Sequence, residues 1–124
     1  LCVGHTHWPL TRWVDETLIV NVGAVGLPFD DDPRAAYAQL TWRRNRWQAE
    51  IIRLDYDRAQ AERDFFESGY MAGGGPLTEL ILDEFRIARP HLYRWTMEYQ
   101  PLVMAGKLSL EEAVAGYLIE RNRL

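Results

Sequence analysis

The hydrophobic pattern of the chain changes its period near Asp57, and this change constrains the fold more than any other feature. Before it, β-branched and aromatic residues form short runs at 17–22, 37–42 and 47–54. After it, apolar residues recur every three or four positions, which is typical of helices with one buried face. Strands followed by helices predict an α+β fold.

Two kinds of strand are predicted in the first part. Residues 1–3 and 17–22 are short apolar runs that end at a glycine, and we predict buried strands there. Residues 37–42 and 47–54 are β-prone runs on either side of a charged segment, 43–46, so they predict a β-hairpin. Three arginines in that segment are typical of a solvated turn. A phosphate clamp is the alternative interpretation.

The second part predicts about four helices. Their starts are expected near Asp57, Pro76, Pro90 and Ser109. Ser109 and Glu112 form a capping box, and Asp57 has the same spacing to Gln60. Pro101 should disturb the third helix, because its ring and its missing N–H oppose helix continuation.

The apolar stripes of the last two helices predict a homodimer. The stripes comprise Leu92, Trp95, Tyr99 and Leu102 on one helix and Leu110, Val114, Tyr117 and Leu118 on the next. They offer more apolar surface than two helices need to cover one another, and large aromatic side chains are common interface anchors. Packing against the chain's own hairpin is the alternative.

The composition limits which classes of partner the chain binds and which cellular compartment suits it. The chain has 124 residues and a formal net charge of -4, which argues against a protein that binds nucleic acid through phosphate contacts. The longest apolar stretch, 17–29, is interrupted by Asn21 and by glycines, so we predict no membrane span. Cys2 is the only cysteine, which excludes an intramolecular disulfide and favours a reducing, cytoplasmic setting.

A pair of histidines, His5 and His7, follows the first predicted strand. Residues two apart in an extended chain project from the same face, so the two rings can share a metal site. Neutral imidazoles suit Zn, Mn, Fe or Ni, and Gly4 lets the backbone approach the ion closely. Surface histidines or hydrogen-bonded core histidines are the alternative, and the pair alone does not decide between them.

The order of motifs around this pair resembles the C-terminal motif region of the calcineurin-like metallophosphoesterases, in particular their compact bacterial and archaeal phosphodiesterase branch. The matching segments are Gly4-His5-Thr6-His7-Trp8-Pro9, Arg12, Val20 to Pro28, Asp32-Pro33-Arg34 and Ala36-Tyr37-Ala38. They cover about residues 1–55, whereas the helical remainder resembles the family's variable extensions only loosely. The resemblance implies that 1–56 is the C-terminal β-rich part of the metallophosphoesterase domain and that 57–124 is a helical extension.

The resemblance also implies roles for single residues. His5 would be a ligand of one divalent metal ion and His7 a ligand of the other, both in a catalytic centre that hydrolyses a phosphate ester. The ions would be Mn, Fe, Ni or Zn. Arg12 and Asn21 would contact the substrate, and fixing the loop to the acidic turn at 30–32 is the alternative for Arg12. Ala24 replaces a serine of the family turn, so a hydroxyl contact is lost there.

Most of the family's metal ligands are absent from this sequence. An Asp-x-His, a Gly-Asp-x-x-Asp and an Asn-His-Asp/Glu precede the histidine pair in the family, and none occurs here. Two histidines cannot hold two divalent ions, which take about four to six ligands each. We therefore expect the C-terminal piece of a four-layer α/β/β/α sandwich, inactive without the N-terminal half of its domain. The alternative is a non-catalytic oligomerisation or interaction module, because uncovered strand faces bind partners.

Overall fold

The computed structural model describes residues 1–121, which form two compact units. We call residues 1–56 with 87–89 the strand unit, and residues 57–86 with 90–121 the helical unit. Within residues 1–121 the strand unit contains five strands, and the six helices lie in the helical unit except where one ends at Ile87. The α+β class predicted from the change of period is confirmed.

A three-stranded sheet forms the first part of the strand unit. Its strands are β1 (Cys2–Val3), β2 (Pro9–Val14) and β3 (Thr17–Val22), in the order β1-β3-β2. The central strand, β3, pairs in parallel with β1 and antiparallel with β2. A strand between two neighbours has its backbone polar groups paired on both sides, so β3 is a firm support for the loops at its end.

The buried strand predicted at 17–22 is confirmed, since Leu18 and Val20 are buried in the core of the strand unit. The expectation that residues 1–3 are buried is wrong, because β1 is a short edge strand whose two residues are exposed. The intervening strand β2 was not predicted. A two-residue turn at Asp15 and Glu16 connects it to β3, and Asp15 has a φ of 51°.

The predicted hairpin is confirmed as β4 (Ala35–Arg43) and β5 (Arg46–Leu54), which pair antiparallel. Its turn residues, Arg44 and Asn45, have φ values of 52° and 58°. Positive φ at both turn positions gives the backbone twist that matches two flanking strands. The arginines of the turn segment are exposed.

Much apolar surface of the strand unit is exposed. The large side chains concerned include Trp8, Leu10, Trp13, Leu40, Trp42 and Trp47. A cleft of about 270 Å³ in this unit is lined in part by Trp13, Leu40 and Trp47. Large exposed apolar patches are typical of surfaces that bind another protein, a membrane or a ligand.

The helical unit contains more helices than predicted. The described helices are α1 (Arg58–Glu67), α2 (Tyr70–Gly73), α3 (Leu77–Ile87), α4 (Leu92–Glu98), α5 (Gln100–Met104) and α6 (Leu110–Arg121). The two additional helices, α2 and α5, are short. The predicted break is confirmed at Tyr99, and Pro101 lies in the first turn of α5, where a proline is tolerated. Among residues 1–121 no helix is both long and apolar enough to cross a membrane.

Both predicted helix caps are present. The Asp57 carboxylate accepts a hydrogen bond of 2.8 Å from the backbone N–H of Gln60 at the start of α1. Before α6, the backbone N–H of Glu112 donates to the Ser109 hydroxyl at 3.1 Å, and the Ser109 N–H donates to the Glu112 carboxylate at 2.8 Å. These contacts pair backbone donors that have no partner inside the helix.

The stripes that predicted a homodimer form the core of the helical unit. Trp95 is 4% exposed and Tyr117 2% exposed, and both pack with Leu80 of α3. The partly buried residues around this core include Leu92, Tyr99, Leu110 and Leu118. The expectation of surplus apolar surface on these stripes is wrong, because α3 contributes a third apolar face. The homodimer stays a prediction, and its interface needs other surfaces.

Candidate metal-binding site

The two candidate metal ligands lie in a bent loop between β1 and β2, residues 4–8, which we call the histidine loop. His5 and His7 have φ values of 76° and 60°. The chain is therefore not extended here, and the argument that alternation places both rings on one face was wrong. A non-glycine residue in the left-handed region costs on the order of 1–3 kcal/mol and persists where surrounding contacts hold it.

His7 is held by contacts of both its ring and its backbone. Its Nδ1–H donates to the carbonyl oxygen of Leu27 at 2.7 Å, because a carbonyl oxygen can only accept. Its ring stacks on Phe29, with ring centroids 4.7 Å apart, and the N–H of Phe29 donates to the His7 carbonyl oxygen at 3.3 Å. The neutral ring then has its lone pair on Nε2. Metal-binding histidines commonly donate the other ring N–H to a carbonyl in this way, so His7 fits a metal ligand.

The other histidine, His5, is exposed, and only Thr6 separates it from His7. An exposed imidazole at this position is accessible to a metal ion. Among residues 1–121, however, no group of three or more His, Cys, Asp or Glu side chains could hold a metal ion. The two histidines therefore fit as part of a ligand set that needs further groups from elsewhere.

The predicted substrate contact Asn21 lies at the end of β3 and is 4% exposed. Its side-chain Nδ2 donates to the Thr6 hydroxyl at 2.9 Å and to the Gly4 carbonyl oxygen at 3.3 Å. Its Oδ1 accepts from the N–H of Gly23 at 3.0 Å. The amide therefore joins the histidine loop to the turn after β3.

The turn after β3 needs a glycine at its first position. Gly23 has a φ of 83°, and a Cβ there would lie 3.4 Å from atoms of Pro9 and Ala36. Both the backbone conformation and the close approach disfavour a side chain. The same turn leads to Leu27, whose carbonyl accepts from His7. The turn thus positions the Leu27 carbonyl oxygen, which accepts the hydrogen bond from His7.

The predicted substrate contact Arg12 is exposed on β2, opposite Ile19 in the sheet. The alternative role was to fix the loop to the acidic turn. The carboxylates of that turn pair with other arginines: Asp30 with Arg53, Asp31 with Arg89 and Asp32 with Arg34. Within residues 1–121 Arg12 makes no ion pair with them, so the described contacts do not support that alternative.

Arg34 changes the acidity of the turn. Its guanidinium donates two hydrogen bonds to the Asp32 carboxylate, at 2.9 Å and 2.7 Å. These bonds stabilise the charged carboxylate and lower the pKa of Asp32 from 3.8 to about 2. Asp32 is therefore a charged structural group at neutral pH.

The third histidine, His91, is buried in the helical unit, whereas the predicted site residues belong to the strand unit. Its Nδ1 lies 2.9 Å from the Tyr117 hydroxyl and its Nε2 lies 3.1 Å from the Asp83 carboxylate, which also pairs with Arg121. Glu84 accepts from the backbone N–H groups of residues 91 and 92 at 2.6 Å and 2.7 Å, which caps α4. Sequence analysis missed this polar cluster, because its members come from three separate segments.

No protein-family model matches the chain, and no curated protein does. The chain is similar to the crystal structure of a metallophosphoesterase from Sphaerobacter thermophilus, with 28% sequence identity and a TM-score of 0.54. This likeness supports an origin in the metallophosphoesterase superfamily. It agrees with the resemblance that the histidine pair and the following turn suggest.

The match covers 70% of this chain and 41% of that chain, so this chain spans about two fifths of the length of the metallophosphoesterase. The matched share of this chain is larger than the strand unit, which comprises residues 1–56 and 87–89. The likeness therefore extends into the helical unit. The structural likeness thus covers more residues than the motif resemblance at 1–55.

Proposed function

We propose that this chain is the C-terminal part of a metal-dependent phosphoesterase and that His5 and His7 are ligands of its two divalent metal ions. The observation that carries the proposal is the hydrogen bond from His7 Nδ1 to the Leu27 carbonyl, which leaves Nε2 as the electron-pair donor. Mn, Fe, Ni and Zn all suit such a ligand. The other ligands come from the rest of the enzyme.

Divalent ions supply Lewis-acid catalysis to phosphate-ester hydrolysis. The proposed roles of His7 and Arg12 are to bind metal and substrate, respectively. His7 is held in place by Leu27 and Phe29. Its proposed role is to bind and position a metal ion and not to transfer protons. Arg12 is exposed and makes no ion pair among residues 1–121, so its charge is available to a substrate phosphate.

The exposed apolar surface of the strand unit supports the proposal that a further part of the domain covers it. Trp13, Trp42 and Trp47 are between 38% and 54% exposed. In a four-layer sandwich such side chains face a second sheet, which the N-terminal half would supply. We also propose that the protein is cytoplasmic, since its single cysteine, Cys2, is exposed and unpaired.

Hydrolysis of an aryl phosphodiester with added Mn²⁺ tests the proposal. We expect turnover by the full-length protein, loss of at least about 100-fold on His7→Ala, and none by residues 1–124 alone. Comparable turnover by residues 1–124 and by the full-length protein would contradict the proposed division of the active site. Arg12→Gln should lower turnover while Arg43→Gln, at the exposed hairpin turn, should not.

A non-catalytic interaction module is the second candidate. The exposed tryptophans favour it, because large apolar side chains on open strands also bind partner proteins. Whether metallophosphoesterase motifs precede Leu1 in the full-length protein distinguishes the two, and a true start at Leu1 supports the module. An Asp-x-His and a Gly-Asp-x-x-Asp there support the enzyme, and an unrelated domain supports the module.

A further inference from the structure

The side chain of Asn21 is almost fully used by contacts within the chain. An asparagine amide has two N–H donors and an oxygen that accepts up to two hydrogen bonds. Both donors are engaged, by Thr6 at 2.9 Å and by Gly4 at 3.3 Å, and the oxygen accepts from Gly23 at 3.0 Å. With 4% exposure, the amide has little capacity left for a substrate.

The two residues that accept hydrogen bonds from the Asn21 amide lie on either side of His5. Gly4 precedes it, and Thr6 lies between His5 and His7. The Thr6 hydroxyl also accepts from the N–H of Trp8 at 3.3 Å. One hydroxyl thus connects Asn21 to the residue after His7. This network spans the segment in which both histidines have a positive φ.

Asn21 itself has a fixed position. It belongs to β3, where it pairs with Val3 of β1 and with Leu10 of β2. Val3 lies immediately before the histidine loop, and Leu10 lies two residues after its end. The strand therefore holds both ends of the loop through its backbone and the middle of the loop through the Asn21 side chain. Strained backbone is retained where contacts over-determine it in this manner.

We infer that Asn21 is a positioning residue which, through Thr6, holds His5 and His7 in the conformation that binds metal, and that it does not contact the substrate. The inference rests on the proposed function, in which these histidines are metal ligands. It replaces the substrate contact that the sequence resemblance implies for Asn21. A group that orients metal ligands typically changes metal affinity about 10- to 100-fold when it is removed.

Mn²⁺ titration calorimetry on the full-length protein tests the inference. Thr6→Val removes the hydroxyl at an exposed position with little change of shape, and Thr6→Ser restores it. Asn21→Ala removes the amide, and Thr11→Val on β2 is the matched control for the threonine change. We expect Thr6→Val and Asn21→Ala to bind Mn²⁺ about 10- to 100-fold more weakly, and Thr6→Ser and Thr11→Val to stay within about twofold of the wild type.

The double variant Thr6→Val, Asn21→Ala should bind no more weakly than Asn21→Ala, because the two residues act as one unit. If Asn21→Ala does not fold, the Mn²⁺ affinities of Thr6→Val and Thr6→Ser test the inference without it. Wild-type Mn²⁺ affinity in Thr6→Val would overturn the inference. So would a raised KM for the phosphodiester in Asn21→Ala with unchanged Mn²⁺ affinity, since that result identifies a substrate contact.

A wild-type protein that binds none of Mn²⁺, Fe²⁺, Ni²⁺ and Zn²⁺ contradicts the proposed function. The role of Asn21 is then tested by a second measurement. Amide NMR shifts of residues 4–8 report the loop without metal. Changed shifts in Thr6→Val, with Thr11→Val unchanged in that loop, support positioning by the network. Unchanged shifts in both variants would overturn it.

Discussion

The Nδ1 atom of His7 lies 2.7 Å from the carbonyl oxygen of Leu27, and this contact assigns the ring proton. A carbonyl oxygen has no proton to give, so the neutral ring must be the Nδ1–H tautomer. The nitrogen left for a metal is Nε2. This relationship connects the turn after β3 to the chemistry of the histidine loop.

We predict that neutral His7 is found in the Nδ1–H form without metal. Long-range ¹H–¹⁵N NMR of the full-length protein distinguishes the two tautomers by the shifts of the ring nitrogens. The exposed ring of His5 serves as the internal comparison. A dominant Nε2–H tautomer at His7 would contradict the assignment of Nε2 as the metal ligand.

We predict that Trp95 stabilises the helical unit from within one chain. Trp95→Ala removes a large side chain that is 4% exposed and should cost about 3–5 kcal/mol of unfolding free energy. Met97→Ala, two residues along the same helix and 63% exposed, should cost less than about 0.5 kcal/mol. Urea denaturation at several protein concentrations measures both. A cost for Trp95→Ala that grows with protein concentration would instead place this side chain in a dimer interface.

The pair of Asp32 and Arg34 predicts a pH dependence of stability. The folded-state pKa of Asp32 is lowered from 3.8 to about 2 by the hydrogen bonds of Arg34. A lowered carboxylate pKa stabilises the fold above the unfolded pKa, and this contribution disappears as pH falls through the folded pKa. The wild type should therefore exceed Arg34→Gln in stability near pH 5 and lose that advantage between about pH 4 and pH 2. Solvent screens this exposed pair, so the difference should be small.

Denaturation of both proteins across this pH range measures the effect. Arg44→Gln, at the hairpin turn, is the matched control and should show no such pH-dependent difference. An advantage of the wild type over Arg34→Gln that persists unchanged to pH 2 would contradict the assigned cause.

Local signals predicted much of the fold. The spacing of Asp57 to Gln60 and of Ser109 to Glu112 located two helix starts, because capping depends on residues three positions apart. The hairpin was also predictable from local sequence, because a short turn connects two β-prone runs that are neighbours in the chain. The sequence does not predict β2, because Thr11 and Arg12 interrupt its apolar alternation. The apolar residues of β1 predict burial, but this strand is a short exposed edge.

Sequence motifs indicate the candidate residues of the site but not their geometry. The histidine pair and the turn at Asn21 stand out as motifs. The positive φ values of His5 and His7 do not, because the strand pattern before them implies an extended chain. The contacts of Asn21 depend on the parallel pairing of β1 with β3 and join residues 15 and 17 positions apart. No local pattern encodes such a contact.

The metal content of the purified full-length protein is the most direct test of the central claim. After loading with Mn²⁺ and removal of excess metal, mass spectrometry should find two ions per wild-type chain and fewer in His5→Ala and in His7→Ala, with all proteins folded. Arg12→Gln should keep the wild-type content, because Arg12 is proposed to contact the substrate and not the metal. Unchanged metal content in both histidine variants would contradict the account.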